Sequence, residues 1–295
     1  MKIYTDRTTS VDVTVSEGNK WYSYLLPKDK GLYNIEGNSV KKVVVKADID
    51  TNGNRIIPKT IVEASFKGSN ATDTSHMFGD CSGLTSLDLS DFNTSNVTLM
   101  HSMFNGCSGL TSLDLSDFNT SNVTLMFSMF ENCSGLTSLD LIGWNTSNVT
   151  DMSNMFRYCS GLTSLDLSNF VTSKVTKMSC MFQGCGGLTS LDLSNFNTSS
   201  VTHMGEMFGY CIGLTSLDLR NFNTSNVTDM HYMFYDCNGL TSLNLSGWNT
   251  SKVTDMSSMF HGCTSLTTIR MVGCSQDTIQ KITNIKPSGA TIVTK

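Results

Sequence analysis

The chain has 295 residues, 15% of them charged, and a formal net charge of −5 at pH 7. Its longest basic stretch is Lys41-Lys42, and because phosphate neutralisation needs clustered Lys and Arg, we expect no nucleic-acid partner. No run of about 18 apolar residues occurs, so we expect no membrane insertion. The N-terminus, Met1-Lys-Ile-Tyr-Thr-Asp-Arg, lacks an apolar signal region, which indicates either synthesis in the cytosol or removal of a signal.

The N-terminal region predicts a small β-rich module. Val11, Val13 and Val15 alternate with polar residues, and Val43-Val44-Val45 indicates a further strand. The repeats that follow need a cover over their open end, so we assign residues 1–54 to a capping or attachment module. The same module is a candidate site of oligomerisation.

Most of the chain is one sequence motif repeated at a fixed period. Its clearest marker is a cysteine every 26 residues, at Cys81, Cys107, Cys133, Cys159, Cys185, Cys211, Cys237 and Cys263. A fixed period of this length predicts a solenoid, in which each unit buries its apolar face by stacking on its neighbours. We assign residues 55–271 to this solenoid, with residues 55–80 as a worn first repeat that has Ile61 at a strand position.

Within each unit the pattern predicts a strand, a turn, a short helix and a glycine. Leu110-x-x-Leu113-x-Leu115 alternates as a half-buried strand does, and Asn119-Thr-Ser-Asn122 has turn chemistry. Met126, Met129, Phe130 and Cys133 then follow at the spacing of one helical face, and Gly135 is expected to end that helix in a left-handed conformation. After the last unit, residues 272–295 should form a C-terminal cap with a helix over Gln276–Ile285 and a closing strand from Ala290.

The cysteines in register predict a column of buried, reduced thiols. Stacked side chains point the same way, so neighbours should not form disulfides although their spacing would allow them. Zinc is improbable, since no two of these cysteines are near in sequence, and we expect neither metal nor cofactor. Cys180 and Cys274 lie outside the register, and we expect them to be the most reactive thiols.

These motifs resemble the leucine-rich repeats, and specifically the 26-residue, BspA-like class of bacterial surface proteins. Full copies of Leu-x-x-Leu-x-Leu begin at Leu84, Leu110, Leu136, Leu162, Leu188, Leu214 and Leu240. The resemblance implies an α/β solenoid, a right-handed coil with a parallel sheet on one side and short helices on the other, and a role in adhesion. One departure is that an aromatic residue occupies the usual Asn or Cys ladder position, as at Phe118 and Trp144, and we expect these rings to stack as a spine.

Two surfaces are candidate binding sites, and no motif indicates an enzyme. The predicted helical side varies between units where the framework does not, and it carries interface-type residues at Phe127, Arg157, Tyr158, Tyr210, His231, Tyr232 and Tyr235. The strand side should carry an acidic row, which is either a solvated polar ladder or a comb for cations or a repeating polymer such as carbohydrate; it comprises Asp88, Asp114, Asp140, Asp166, Asp192 and Asp218.

The leading hypothesis is a non-catalytic binding module, an adhesin-like or receptor-recognition protein of a bacterial surface. Its partner would be a protein or glycan on a host or neighbouring cell, and the chain would be extracellular, on a cell surface or on a virion. The missing signal and the many free thiols also suit a phage tail or receptor-binding protein. A purely structural, oligomer-forming repeat protein is the third alternative.

Overall fold

The computed structural model describes residues 11–17, 20–26, 40–46, 61–67 and 71–295. Its repeats form a β-solenoid of about nine turns whose neighbouring strands run parallel, which confirms the predicted solenoid with a parallel sheet. The remaining residues of the proposed 1–54 module lie outside the described ranges. None of the helices in the described part of the chain is long and apolar enough to cross a bilayer.

The first sheet joins the N-terminal strands to the solenoid. Its strands are β1 (Val11–Glu17), β2 (Lys20–Leu26), β3 (Val40–Lys46), β4 (Glu63–Lys67) and β5 (Ser86–Asp91), in the spatial order β2-β1-β3-β4-β5. β1 pairs antiparallel with β2 and β3, whereas β3, β4 and β5 are parallel. The strands predicted around Val13 and Val44 are therefore present, β2 is additional, and the N-terminal strands extend the first coils of the solenoid as one sheet.

The second sheet closes the other end of the solenoid. It contains β6 (Ser216–Asp218), β7 (Ser242–Asn244), β8 (Thr268–Arg270) and β9 (Thr291–Val293), all parallel. In the coils between β5 and β6, the residues at the strand positions remain on this side but do not form a regular ladder of backbone hydrogen bonds. Neighbouring rings on this side are 6.2–6.5 Å apart from Phe92 to Trp144, against 5.5–5.8 Å for the stacked rings from Phe78 to Phe156.

The predicted short helices are wrong: across the described repeats the side opposite the strands is a stack of turns, which we call the turn face. Its N–H groups alternate between two uses. Met129 donates to Met126 within its own turn, and Phe130 donates to Met155 of the next coil at 2.9 Å. The alternation requires left-handed residues, such as Ser128 at φ 56° and Asn132 at φ 61°. In an α-helix every N–H bonds to a carbonyl of the same segment. Here half of the N–H groups bond to the next coil instead, so the segment forms turns and not a helix.

Gly135 is needed for a different reason from the one predicted. It does not have the left-handed backbone, which occurs three residues earlier at Asn132. Instead, a Cβ at this position would lie 2.4 Å from the carbonyl oxygen of Ser108 and 2.8 Å from that of Leu110. The glycine therefore allows two neighbouring coils to approach backbone to backbone.

The core is a set of columns that run through the stack. Met, Phe, Cys, Leu and Val at equivalent positions of the units are almost all fully buried, and Ile61 and Phe66 of the worn first repeat are buried with them. Three types of corner turn recur along the stack, wherever an Asp or Asn side chain accepts from the backbone N–H two residues on. Examples are Asp114 with Ser116, Asn119 with Ser121 and Asp151 with Ser153, at 2.9–3.0 Å.

The C-terminal cap has the predicted helix and strand. Helix α1 (Gln276–Ile285) begins at Ser275, whose hydroxyl accepts from the Thr278 N–H, and it buries Thr278 and Ile282. β9 then pairs with β8. The cap thus closes the strand side of the last coil.

Candidate functional site

The interface-type residues predicted from the sequence lie on the turn face. Tyr158, Tyr210 and Tyr232 are 38%, 43% and 37% exposed, while Tyr235 is half-buried. Tyr158, Tyr210 and Tyr232 have φ of 57°, 59° and 52°. Other units place Gly, Asn or Asp at the position of Tyr158 and Tyr210, and Ser, Asn, His, Cys or Glu at the position of Tyr232. The hydrogen bonds between coils hold these conformations, so the tyrosines project from a backbone that neighbouring coils fix on both sides.

Four tyrosines lie on this face, Tyr158, Tyr210, Tyr232 and Tyr235, which we call the tyrosine face, and the last three form a cluster of rings. The ring centroids of Tyr210 and Tyr235 are 5.3 Å apart, and those of Tyr232 and Tyr235 are 5.1 Å apart. Tyr158 lies over Gly184 of the next coil, where an added Cβ would be 2.3 Å from its ring. Burial and the neighbouring phenols and carboxylates, Tyr235 first among them, raise the pKa of Tyr210.

A polar network joins the tyrosine face to the coils before it. The Arg157 Nη1 donates to Glu131 Oε1 at 3.2 Å, its Nε donates to Gln183 Oε1, and its Nη2 donates to the Tyr158 hydroxyl at 3.3 Å. The guanidinium carbon is also 4.7 Å from the centre of the Tyr158 ring. Gln183 in turn donates to Glu206. Arg157 is thereby fixed in position and presents a cation beside an exposed ring.

His231 lies at the far end of this network, among carboxylates. Its Nδ1 is 2.5 Å from Asp229 Oδ1, and its Nε2 is 3.5 Å from Glu206 Oε1. Burial lowers the pKa of His231, but Asp229, Glu206 and Asp255 together outweigh that effect and raise it. Asp229, His231 and Asp255 bring potential metal-ligand atoms within 4.8 Å of one another, although the sequence predicted no metal here. In the structure, His231 and Asp229 bind each other, so these two potential metal ligands already satisfy one another.

Phe127 is separate from the other predicted residues. It is half-buried and stacks on His101, with ring centroids 4.3 Å apart, and His101 makes an edge contact with His76 at 5.2 Å. Burial, and then the charge of His76, lower the pKa of His101, and its Nδ1 has no hydrogen-bond partner among the described residues. Phe127 therefore contributes to packing between coils near the N-terminal end of the turn face.

The acidic row exists on the strand side, and each of its carboxylates has a local structural role. Asp114 Oδ1 accepts from the N–H and the hydroxyl of Ser116 at 3.0 and 2.7 Å, and these bonds lower the pKa of Asp114. Asn244 makes the same turn without a charge, accepting from Ser246 at 3.2 Å. Shallow depressions lie between neighbouring members, such as a cavity of about 190 Å³ beside Asp88 and Asp114. The turn geometry thus explains the repeated aspartates without a ligand.

The column of thiols is buried as predicted, and all ten cysteines are free. Each thiol from Cys107 onward in the column donates to the carbonyl of the Phe that is 29 residues before it, as Cys133 does to Phe104 at 3.1 Å. Burial raises the pKa of Cys159 and Cys211 to about 12. Cys274 takes an aromatic position of the repeat and donates to Leu245 at 3.3 Å, so it too belongs to the lattice.

Three residues of the turn face were missed by the sequence analysis. Glu206 and Asp229 hold His231, and Ile212 is exposed close to Gly186 and Tyr210. Glu206 stands where other units most often place Ser, and Ile212 stands where most of them place Ser, so a search for charged or apolar exceptions would have found both. Asp229 repeats the residue of Asp73, Asp151 and Asp255, so its sequence position gives no such signal.

A stack of parallel coils with a uniform core and a variable turn face defines a repeat-solenoid protein. The model of the family described as "Mycoplasma protein of unknown function, DUF285" matches residues 52–164 and 161–272, and the chain belongs to this family. None of the curated proteins matches the sequence. The finer, BspA-like assignment stays a prediction.

Two solved structures of leucine-rich proteins share similarity with most of the chain. An LRR protein of Leptospira interrogans is 13% identical with a TM-score of 0.29, over 83% of this chain and 82% of the other. A leucine-rich cell surface protein of Faecalibacterium prausnitzii is 17% identical with a TM-score of 0.26, over 90% of this chain and 88% of the other. With such low scores the coils do not superpose closely.

Proposed function

We propose that the chain is a non-catalytic binding module whose tyrosine face recognises a protein or glycan on another cell. The observation that supports this proposal is the cluster of Tyr210, Tyr232 and Tyr235, with Tyr158 exposed on the same face. Tyrosine offers a large, rigid contact area with a polar tip, and it is enriched among the residues that dominate binding energy. The units that lack these tyrosines keep the same buried framework, so the fold does not require them.

Preorganisation of the surface supports the same role. Arg157 is held by Glu131 and Gln183 before any partner arrives, and the tyrosine backbones are fixed by hydrogen bonds between coils. A surface that is already ordered loses less side-chain entropy on association. The arrangement of a fixed cation beside exposed rings suits an acidic or carbohydrate-rich partner.

The setting that we propose is a bacterial cell surface. The family description names Mycoplasma, which favours a bacterial over a phage origin. A virion protein with the same recognition surface is the alternative, favoured by the ten free thiols. A purely structural, oligomer-forming protein would need no such surface.

The test replaces each tyrosine with a residue that this chain itself uses at the equivalent position. The variant carries Tyr158→Asn and Tyr210→Asn, after Asn132, with Tyr232→Ser, after Ser258, and Tyr235→Asn, after Asn105. Because these residues already occur in the same backbone conformation or register, the fold should survive. Each truncated contact residue should cost about 2 kcal/mol, or at least about tenfold in affinity.

The labelled full chain should be assayed on a glycan array and on epithelial cells by flow cytometry. A matched control changes three exposed residues of the acidic row, with Asp114→Asn, Asp140→Asn and Asp166→Asn. Loss of binding in the tyrosine variant alone supports the proposal. Loss in the acidic-row variant alone, with calcium-dependent binding, would assign recognition to the strand side. Absence of binding to any array or cell would contradict a recognition role.

A further inference from the structure

The last coil leaves one of its hydrogen-bonding edges open. The described turn face has eight stacked segments, and at each of the seven junctions between them four N–H groups of one coil donate to carbonyls of the next. The last such set is Met230, Tyr232, Phe234 and Asp236. The equivalent N–H groups of the final turn are those of Met256, Ser258, Phe260 and Gly262. Within the described residues none of these four N–H groups has a hydrogen-bond partner. We call this line of donors the open edge.

The C-terminal cap closes the other edges of the same coil. On the strand side β9 pairs with β8, and Met271 donates to Val293 at 2.8 Å. At the corner, Thr250 donates its N–H to the Thr278 hydroxyl at 3.2 Å, and the Lys281 ammonium donates to the Thr250 carbonyl at 3.2 Å. The cap therefore provides hydrogen-bond partners for the strand side and for the corner of the last coil, but none for its turn face.

The open edge also exposes apolar side chains that every other described turn buries. The methionine equivalent to Met256 is fully buried in the preceding coils, as is the valine equivalent to Val253, yet both are partly exposed here. A cleft of about 560 Å³ is lined by Ser258, Phe260 and Gly262 of the open edge and by Ile285 and Pro287 that follow in the C-terminal cap. Its volume falls within the range of ligand-binding clefts.

We propose that the open edge binds a segment of a partner protein, which adds as a further turn. The chain shows what fits this edge, because the segment 254–261 fills the equivalent edge one coil earlier. That segment donates the Thr254 N–H to Thr228 and offers the carbonyls of Asp255, Ser257, Met259 and His261. A small anion would engage one or two donors, whereas four donors in a line match alternate carbonyls of one polypeptide. The site is separate from the tyrosine face and does not depend on the proposed function.

The experiment follows amide hydrogen exchange in the full chain, with a capped peptide of residues 150–158 (Thr-Asp-Met-Ser-Asn-Met-Phe-Arg-Tyr) as the probe. In the free protein the Ser258, Phe260 and Gly262 amides should exchange quickly, while those of Tyr232 and Phe234 are protected. With about 1 mM peptide, the first three should slow by about tenfold or more. The Ile285→Asp variant should bind the peptide about tenfold more weakly. Ile142→Asp, an equally apolar exposed site on the strand side, should bind like the wild type.

Several results would overturn the proposal. Protection of the three amides in the dilute free protein would mean that the edge is already closed. Protection that rises with protein concentration alone, together with a dimer by light scattering, would make the occupant a second copy of this chain. No change at the highest peptide concentration, or protection only at other residues, would show that the edge does not accept a segment.

Discussion

A single methyl group should separate two coils at Gly135. In Gly135→Ala the new Cβ would lie 2.4 Å from the Ser108 carbonyl oxygen and 2.8 Å from the Leu110 oxygen. Ordinary contact begins at about 3.5 Å, and both neighbours are backbone, so neither can rotate away. We expect the variant to lose about 3 kcal/mol of unfolding free energy, at the upper end of overpacking effects. For a chain of this size that is a fall in Tm of about 6–12 °C.

The measurement is thermal and urea unfolding of Gly135→Ala beside Gly289→Ala. Gly289 lies in the C-terminal cap, where an added Cβ meets nothing within 4 Å and the backbone is not left-handed. The control should therefore match the wild type or gain up to about 1 kcal/mol from reduced freedom of the unfolded chain. If Gly135→Ala stays within about 0.5 kcal/mol of the wild type, close approach of the coils is not what the glycine provides.

The other predictions concern titrating groups. Native alkylation followed by mass spectrometry should label Cys180 and Cys274 and spare the buried column. Labelling of Cys180 should be faster at high pH, because burial raises the pKa of Cys180 to about 11. Rapid labelling of the column would contradict its packing. His101 and His231 occupy the same repeat position, but NMR should find the pKa of His101 below 6.5 and that of His231 above it. Since His231 gains its carboxylate partners on folding, its stabilisation should be complete below pH 6.5 and lost as the pH rises through its folded pKa. Equal titration of the two rings would refute these environments.

The period and the buried columns could be predicted because they depend only on which residues recur. Cys133 and Phe130 stand at fixed positions, and stacking buries them whatever the local backbone does. The helix could not be distinguished from turns, because Met126, Met129 and Phe130 have a spacing that both conformations place on one face. The deciding feature is that alternate N–H groups bond to the next coil, and a pattern within one unit carries no sign of it.

The candidate surface was predictable only in part. Tyr210 and Tyr235 stood out as aromatic exceptions at otherwise small or polar positions, and the structure brings their rings together. Phe127 stood out for the same reason but packs on His101 instead. Whether an aromatic ring joins another tyrosine or packs on a histidine depends on the residue that the neighbouring coil places beside it. That contact depends on side-chain direction as well as on residue type, and the sequence gives only the residue type.

The alternating bonds of the turn face also give the molecule an electrical direction. In each junction four peptide groups point their N–H toward the C-terminal coil and their C=O toward the N-terminal one. Each peptide group carries a dipole of about 3.5 D, and aligned dipoles add. The sum runs opposite in sense to that of an α-helix, with its positive pole at the C-terminal end. The N–H groups of the open edge lie at this positive pole, so an approaching acidic group would meet a favourable field there.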